Sequence, residues 1–273
     1  MLIWEKRSES VRMREFLKGE KMKIIFVGAG SAFNKKDGQS NVLVKSKSNK
    51  YLLIDCGSYC WDFMSKINLC VNDIDALYVS HLHGDHIGGI EELAFCTYFN
   101  PSCERPKLFC NNSLMHDLWD QSLRGGLESI QGKVVTITEY FDCHPVEKND
   151  SFDWEGIRFT PVQTVHVMAG YYIKYSYGLC IQEKGGKSIF FTSDTQFCPN
   201  QIMYFYDKAD VIFQDCETAP YNSGVHASYN ELKTLEDSIK EKMILYHYQP
   251  NPPQDYIADG FAGMAKAGKV YEF

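Results

Sequence analysis

The chain has 273 residues, with 28 basic against 35 acidic side chains and a net charge of −7. That balance is a poor footprint for gripping a long polyanion, so long duplex nucleic acid is excluded as the expected partner. No apolar run approaches the roughly 20 residues that span a membrane. The N-terminus lacks the apolar core of a signal peptide, and the 10 cysteines include no Cys-x-x-Cys pair. A cytoplasmic protein with reduced thiols is therefore expected.

In chain order, residues 1–21 are charged and read as an N-terminal extension, helical or partly disordered, ahead of a domain spanning residues 22–273. Lys23 to Ala32 reads as a first strand ending in a glycine turn at Gly28 and Gly30. That turn lacks the third glycine of a nucleotide-binding fingerprint and is taken as a turn near the site mouth. Asn41 to Val44 and Tyr51 to Gly57 form a hairpin that ends in an Asp-Cys-Gly turn. Ala76 to Ser80 is a short apolar run of the kind that makes a buried strand, and Ile87 to Leu93 is a turn entering a helix.

Between these two elements lies His81-Leu82-His83-Gly84-Asp85-His86. Three imidazoles and a carboxylate within six residues are costly to hold together unless a cation organises them. Imidazole and carboxylate are ligands that zinc, iron and manganese accept. On a tight loop His81 and His83 can point at one metal, while Asp85 and His86 turn toward a second position. Two adjacent metals need about six protein ligands, so further ligands are expected downstream.

Phe95 to Pro106 reads as a mobile or substrate-facing loop. Ser113 to Leu123 is helix-like and carries His116, and His144 falls in a loop before Pro145; both histidines are read as structural or surface residues. Three later apolar runs each deliver a metal-competent side chain at a strand end. They are Phe159 to Val165 into His166, Ser188 to Ser193 into Asp194, and Lys242 to Tyr246 into His247. The tyrosine-rich run Tyr171 to Tyr177 follows His166, and its alternation places Tyr171, Ile173, Tyr175 and Tyr177 on one strand face. Packing explains such residues in half-buried strands; base stacking is the functional alternative.

The order His-x-His-x-Asp-His, followed by His, Asp and His at strand ends, resembles the metallo-β-lactamase superfamily over residues 22–273. The resemblance implies an α/β fold, a four-layer αβ/βα sandwich. It also implies two Zn2+ ions, with Mn2+ or Fe2+ as alternatives. His81, His83 and His166 would hold one, and Asp85, His86 and His247 the other, with Asp194 bridging. Asp85 would thus serve the chemistry as well as the metal. The second cluster position is His83 and not the glutamate of the diiron oxygen-reducing branch, which favours hydrolysis.

Ala209 to Thr218 ends another strand in Glu217, and His226 follows. This pair is similar to one in ribonuclease Z and its small phosphodiesterase relatives. There the glutamate orients the histidine, which protonates the departing alcohol. An imidazolium placed to do so contributes about 10²–10⁴ in rate. Alternatively, Glu217 is a plain carboxylate and Ser228 with Glu231 forms a capping box for the next helix. Ribonuclease Z carries an RNA-clamping arm between the third motif and the bridging aspartate. Here that interval is filled by two strands joined at Gly185-Gly186.

A small or cyclic nucleotide, or a short RNA, is therefore the expected substrate of a phosphodiesterase, without membrane association, and the resemblance allows a homodimer. The alternatives are a carboxyl-centred hydrolase acting on a lactone, thioester or β-lactam, a tRNA 3′-processing endonuclease, and a non-catalytic binding protein. Cys198 and Cys216 lie near motif residues, with packing as their ordinary role.

Overall fold

The computed structural model describes Gly19 and residues 21–273, so the N-terminal extension lies outside the described residues except at its edge. Two seven-stranded sheets form the centre of the fold. The first runs β16-β1-β2-β3-β4-β5-β8, made from Val270–Glu272 (β16), Lys23–Phe26 (β1), Val42–Lys45 (β2), Tyr51–Ile54 (β3), Ala76–Val79 (β4), Lys107–Asn111 (β5) and Asp142–Val146 (β8). The second runs β15-β14-β13-β12-β11-β10-β9. Its strands are Gly263–Met264 (β15), Met243–Tyr246 (β14), Val211–Asp215 (β13), Ser188–Phe191 (β12), Tyr172–Glu183 (β11), Ile157–Ala169 (β10) and Phe152–Trp154 (β9). A small ribbon pairs Ser129–Ile130 (β6) with Lys133–Val134 (β7).

The inner strands of the first sheet are largely apolar in both alternating sets, as strands covered on both faces require. Ile24 and Phe26, Leu52 and Ile54, and Ala76 and Tyr78 face the core shared with the second sheet. Ile25, Val27, Leu53, Leu77 and Val79 face a separate core under the helices. Those helices include Cys60–Lys66 (α1), Gly84–Ile87 (α2), Ile90–Tyr98 (α3), Asn112–Asp117 (α4) and Ile137–Tyr140 (α5). Phe26 meets Phe213 with ring centroids 5.2 Å apart and Tyr246 at 5.7 Å, which joins the two sheets. On the far face of the second sheet, Pro199–Lys208 (α6) buries Ile202 and Tyr206. Tyr229–Leu232 (α7) and Asp237–Lys240 (α8) follow β13.

β3, β4, β5 and β8 are parallel, as are β12, β13, β14 and β15. Each sheet therefore has an edge made of strand carboxyl ends, the place where α/β sheets gather ligands. Two local expectations differ from the structure. Phe95 to Tyr98 is helical, because Phe95 packs its ring against buried Tyr140 at 5.9 Å; only the stretch after it is a loop. His144 lies in edge strand β8 and not a loop, paired with Asp142 at 2.8 Å and stacked on Phe109. The helix expected over Ser113–Leu123 is present, with its second half wound as a π-helix over Leu118–Leu123.

Phe213 is fully buried where the sheets meet. Phe213→Ala should lower the unfolding free energy by about 3–5 kcal/mol, the ordinary cost of emptying an aromatic core site, measured by urea denaturation.

Candidate metal centre

The site is built from strand ends. β4 ends at Val79, and His81 and His83 follow on its loop, with Asp85 and His86 in the first turn of α2. The backbone there folds tightly onto the Asp55 turn. Cys56 N–H donates to His86 O at 2.7 Å, and a Cβ on Gly57 would collide with the Asp85 carbonyl. His166 sits inside β10 and not at its end, at a bulge: Val165 pairs with Tyr175 and Val167 with Lys174. A bulge re-aims one side chain without ending the strand. Asp194 follows β12, and His247 follows β14.

Asp55, Ser193 and His247 have φ of 61°, 52° and 62°. This left-handed region is costly for residues with a Cβ, and the surrounding structure must enforce it. All three sit directly after a strand end or beside a site residue.

The seven expected ligands converge. His81 Nε2 lies 3.1 Å from His83 Nδ1, and His166 Nε2 lies 3.0 Å from the same atom. Asp194 Oδ2 is 3.6 Å from His81 Nε2 and 3.7 Å from His166 Nε2. On its other side it is 3.3 Å from His86 Nε2 and 3.6 Å from His247 Nε2. Asp85 Oδ2 completes that second group, 3.2 Å from His86 Nε2 and 3.4 Å from His247 Nε2. A tetrahedral ion with bonds of about 2.0–2.1 Å needs ligand atoms about 3.3 Å apart. Both groups have that spacing, and they share Asp194.

The hydrogen bonds on the outer side of the rings decide which nitrogens carry protons. His166 Nδ1 faces the Val225 carbonyl at 2.9 Å, an acceptor only, so it must be the N–H. His86 Nδ1 donates to Asp55 Oδ2 at 2.8 Å. The Ser80 hydroxyl donates to the same carboxylate at 2.6 Å, so its oxygen is free to accept from His81 Nδ1 at 3.0 Å. The Nε2 lone pairs of His81, His86 and His166 therefore point inward as ligands. His86 Nε2 and Asp194 Oδ1 are buried without a hydrogen-bond partner among the described residues. Converging lone pairs and orphaned buried atoms fit a cation, and the donor set fits a divalent metal.

Electrostatics divide the imidazoles into two groups. Burial pushes His81, His83 and His166 below the ordinary imidazole range, toward the neutral form that binds metal. Burial would also lower His86 and His247, but the Asp194 carboxylate and its acidic neighbours override it and raise both. Burial opposes charge on Asp194 too, yet His247 and His86 hold it well below the carboxylate range.

His226 stands at the rim, its ring 4.6 Å from His247 and 5.2 Å from His166. Its expected partner needs correction. The carboxylate on His226 Nδ1 is Asp215, at 2.8 Å, while the Glu217 side chain accepts the Ser223 N–H at 2.8 Å. The reason is strand geometry. Asp215 ends β13 facing the site, and Glu217 lies beyond it, where its backbone bonds to Ala227 and Tyr229 at 2.8 Å each. Glu217 thus places the His226 segment through its main chain. Ser228 and Glu231 form the capping box of α7. His226 and Asp215 also converge with Asp194 and His247 as a third metal-competent group, but the 2.8 Å contact is a hydrogen bond.

Asp55, Ser80 and Asp215 were not singled out from the sequence as site residues. The available signal was positional, since each ends or follows a strand at the edge that carries the ligands. Cys216 is buried and its thiol is pushed far up by that burial, while His116 lies outside both ligand groups.

A cavity of about 420 Å³ opens over the first ligand group. Its floor is His83 and His166, with Asp117 and Gln121 of the α4 segment on one wall and Lys174 and Tyr175 of β11 on the other.

Comparison with known proteins follows this geometry. The family model described as Anti-Pycsar protein Apyc1 matches residues 22–271. The chain belongs to this family. An anti-Pycsar protein Apyc1 of Paenibacillus harenae is 34% identical over 253 residues, covering 92% of this chain and 100% of the relative. Among solved structures, the metallo-β-lactamase fold protein YhfI from Bacillus subtilis superposes with a TM-score of 0.71 at 20% identity, covering 93% of this chain and 100% of the other. The short form of human tRNase Z gives a TM-score of 0.66 at 17% identity, covering 92% and 98%. The fold is thus the expected metallo-β-lactamase sandwich. Within that fold, the buried His/Asp cluster forms two groups that could each hold a metal ion. Among the described residues, no helix is long and apolar enough to cross a membrane.

Asp55→Ala should keep the ligands yet weaken metal binding about 10–100-fold, since partners behind the ligands tune affinity by that factor. Equilibrium dialysis with elemental analysis measures this. His116→Ala, outside both groups, should leave metal content unchanged.

Proposed function

We propose that residues 22–273 form a dinuclear phosphodiesterase that hydrolyses small or cyclic nucleotide phosphodiesters, with His226 as proton donor. The observation that carries this reading is the Asp215–His226 pair at the rim of the ligand cluster. When bound, two divalent ions, zinc in the first instance, would supply Lewis-acid charge and a water of lowered pKa. His81, His83 and His166 would hold one and Asp85, His86 and His247 the other, with Asp194 between them.

The chain's own residues supply the rest. Phosphodiester cleavage breaks a P–O bond and leaves an alkoxide that needs a proton. His226 holds Nδ1–H against Asp215, so Nε2–H is the proton available to that oxygen. Burial opposes charge on His226, but the Asp215 carboxylate outweighs it and raises the imidazole above its ordinary value. The donor therefore stays protonated further up the pH scale than a free imidazole would. A thioester has less need of such a donor, because a thiol of pKa about 8.5 can leave as its thiolate and a sugar alkoxide cannot leave so readily.

The cavity volume of about 420 Å³ falls within the range of small-molecule sites and suits a single nucleotide. Between His166 and Asp194 the chain forms the rest of the β10–β11 hairpin and β12. That favours a small phosphodiester over precursor tRNA.

Metal-loaded protein should hydrolyse bis(p-nitrophenyl) phosphate and cyclic nucleotides in preference to a lactone or a chromogenic β-lactam. His226→Ala should lower turnover of an unactivated cyclic nucleotide by about 10²–10⁴ with unchanged metal content. Turnover of the carboxyl substrates alone would overturn the reading.

The pH profile supplies a second check. A general acid works only while protonated, so wild-type turnover should fall as pH rises through the raised His226 value. The alanine variant should lack that descending limb.

A further inference from the structure

The cavity over the first ligand group has two charged side chains among its non-metal walls, Asp117 and Lys174. They are not equivalent. Asp117 already accepts a hydrogen bond from the Gln121 amide at 2.6 Å. Lys174 makes no ion pair within 4.0 Å among the described residues, although the chain carries 35 acidic side chains to offer it. Its place follows from the bulge. His166 has no cross-strand partner of its own, and the ladder steps from Val165–Tyr175 directly to Val167–Lys174. Lys174 is therefore fixed beside the bulged ligand on the neighbouring strand, on the longest hairpin of the fold. In a protein of net charge −7, an unpaired ammonium held at the mouth of an otherwise ligand-floored cavity creates a local positive field.

We infer that Lys174 is the substrate-positioning cation of this cavity, holding a non-bridging phosphate oxygen and selecting anionic phosphodiesters over neutral esters. This rests on the phosphodiesterase reading for its substrate but not for its anion site. An ammonium on a flexible stem suits the task. It presents three donors without imposing the fixed fork of an arginine, so it can follow a phosphate oxygen as the geometry at phosphorus changes. Lys174 takes no proton from the reaction and gives none to it; its contribution is to binding and orientation.

The test uses the full-length, metal-loaded protein with Lys174→Met, which keeps the stem and removes the charge, and Lys174→Arg, which restores it. For a cyclic nucleotide, Lys174→Met should raise KM about tenfold, with a much smaller change in kcat and a weaker dependence of kcat/KM on ionic strength. Lys174→Arg should recover most of that loss, and turnover of a neutral p-nitrophenyl ester should not change. Calorimetric titration with inorganic phosphate gives a readout independent of turnover, and the Met variant should bind it about tenfold more weakly at equal metal content. Unchanged phosphate affinity in Lys174→Met overturns the inference, whatever the wild type hydrolyses. Weakened phosphate binding in a protein that hydrolyses no phosphodiester keeps the anion site and rejects the proposed function instead.

Discussion

Four buried carboxylates, Asp55, Asp85, Asp194 and Asp215, stand around one cluster of imidazoles, and the rest of the molecule is arranged to make that tolerable. Charges taken out of water are strongly unfavourable unless they are paired and hydrogen-bonded. Two of the four sit behind the ligands. Asp55 receives the His86 N–H, the Ser80 hydroxyl and the Ser80 backbone N–H. Asp215 receives His226 and the Thr195 backbone N–H. The other two face inward, where only a cation can balance them. A proton-counting constraint thus runs outward from the centre: each outer acceptor fixes a tautomer, and each tautomer turns a lone pair toward the metal position.

That constraint explains where the backbone is forced. Carboxyl ends of parallel strands bring side chains to one edge, but an ordinary continuation would carry the next residue past the site. Left-handed conformations at Asp55, Ser193 and His247 redirect the chain at the strand ends, and the β10 bulge re-aims His166 without ending its strand. Such conformations persist only when neighbouring structure over-determines them. The two sheets do this here, locked together through Phe26, Phe213 and Tyr246. Rigidity at the sheet junction and precision at the metal centre are one property seen at two distances.

The rim follows a different logic. His226 belongs to a segment after β13 that is pinned by main-chain bonds from Glu217 and by the capping box of α7. On the opposite side, the long β10–β11 hairpin carries exposed tyrosines and Lys174 over the cavity. On the proposed reading, these rim elements are where the buried centre's choice between substrates is made.

The sequence by itself marked the candidate ligands and the apolar runs that carry them. The candidate ligands are His and Asp beside apolar runs, and both signals are local: a dense cluster after one strand, single residues after two others and one within a third. The sandwich was implied by the family resemblance that this ligand order carries. What lies behind the ligands was decided only by tertiary structure. Asp55 and His86 are far apart in the chain, as are Val225 and His166, and no spacing rule links a side chain to an acceptor on another strand. The same limit explains Glu217. Its type and distance from His226 suited an orienting role, but whether a carboxylate near a strand end faces the site or turns away depends on where the strand ends and on how the following segment packs. Asp215, two residues earlier, points where Glu217 was expected to point. Chemistry of the donor atoms is written residue by residue, whereas the direction of each proton is a property of neighbours that only folding brings together.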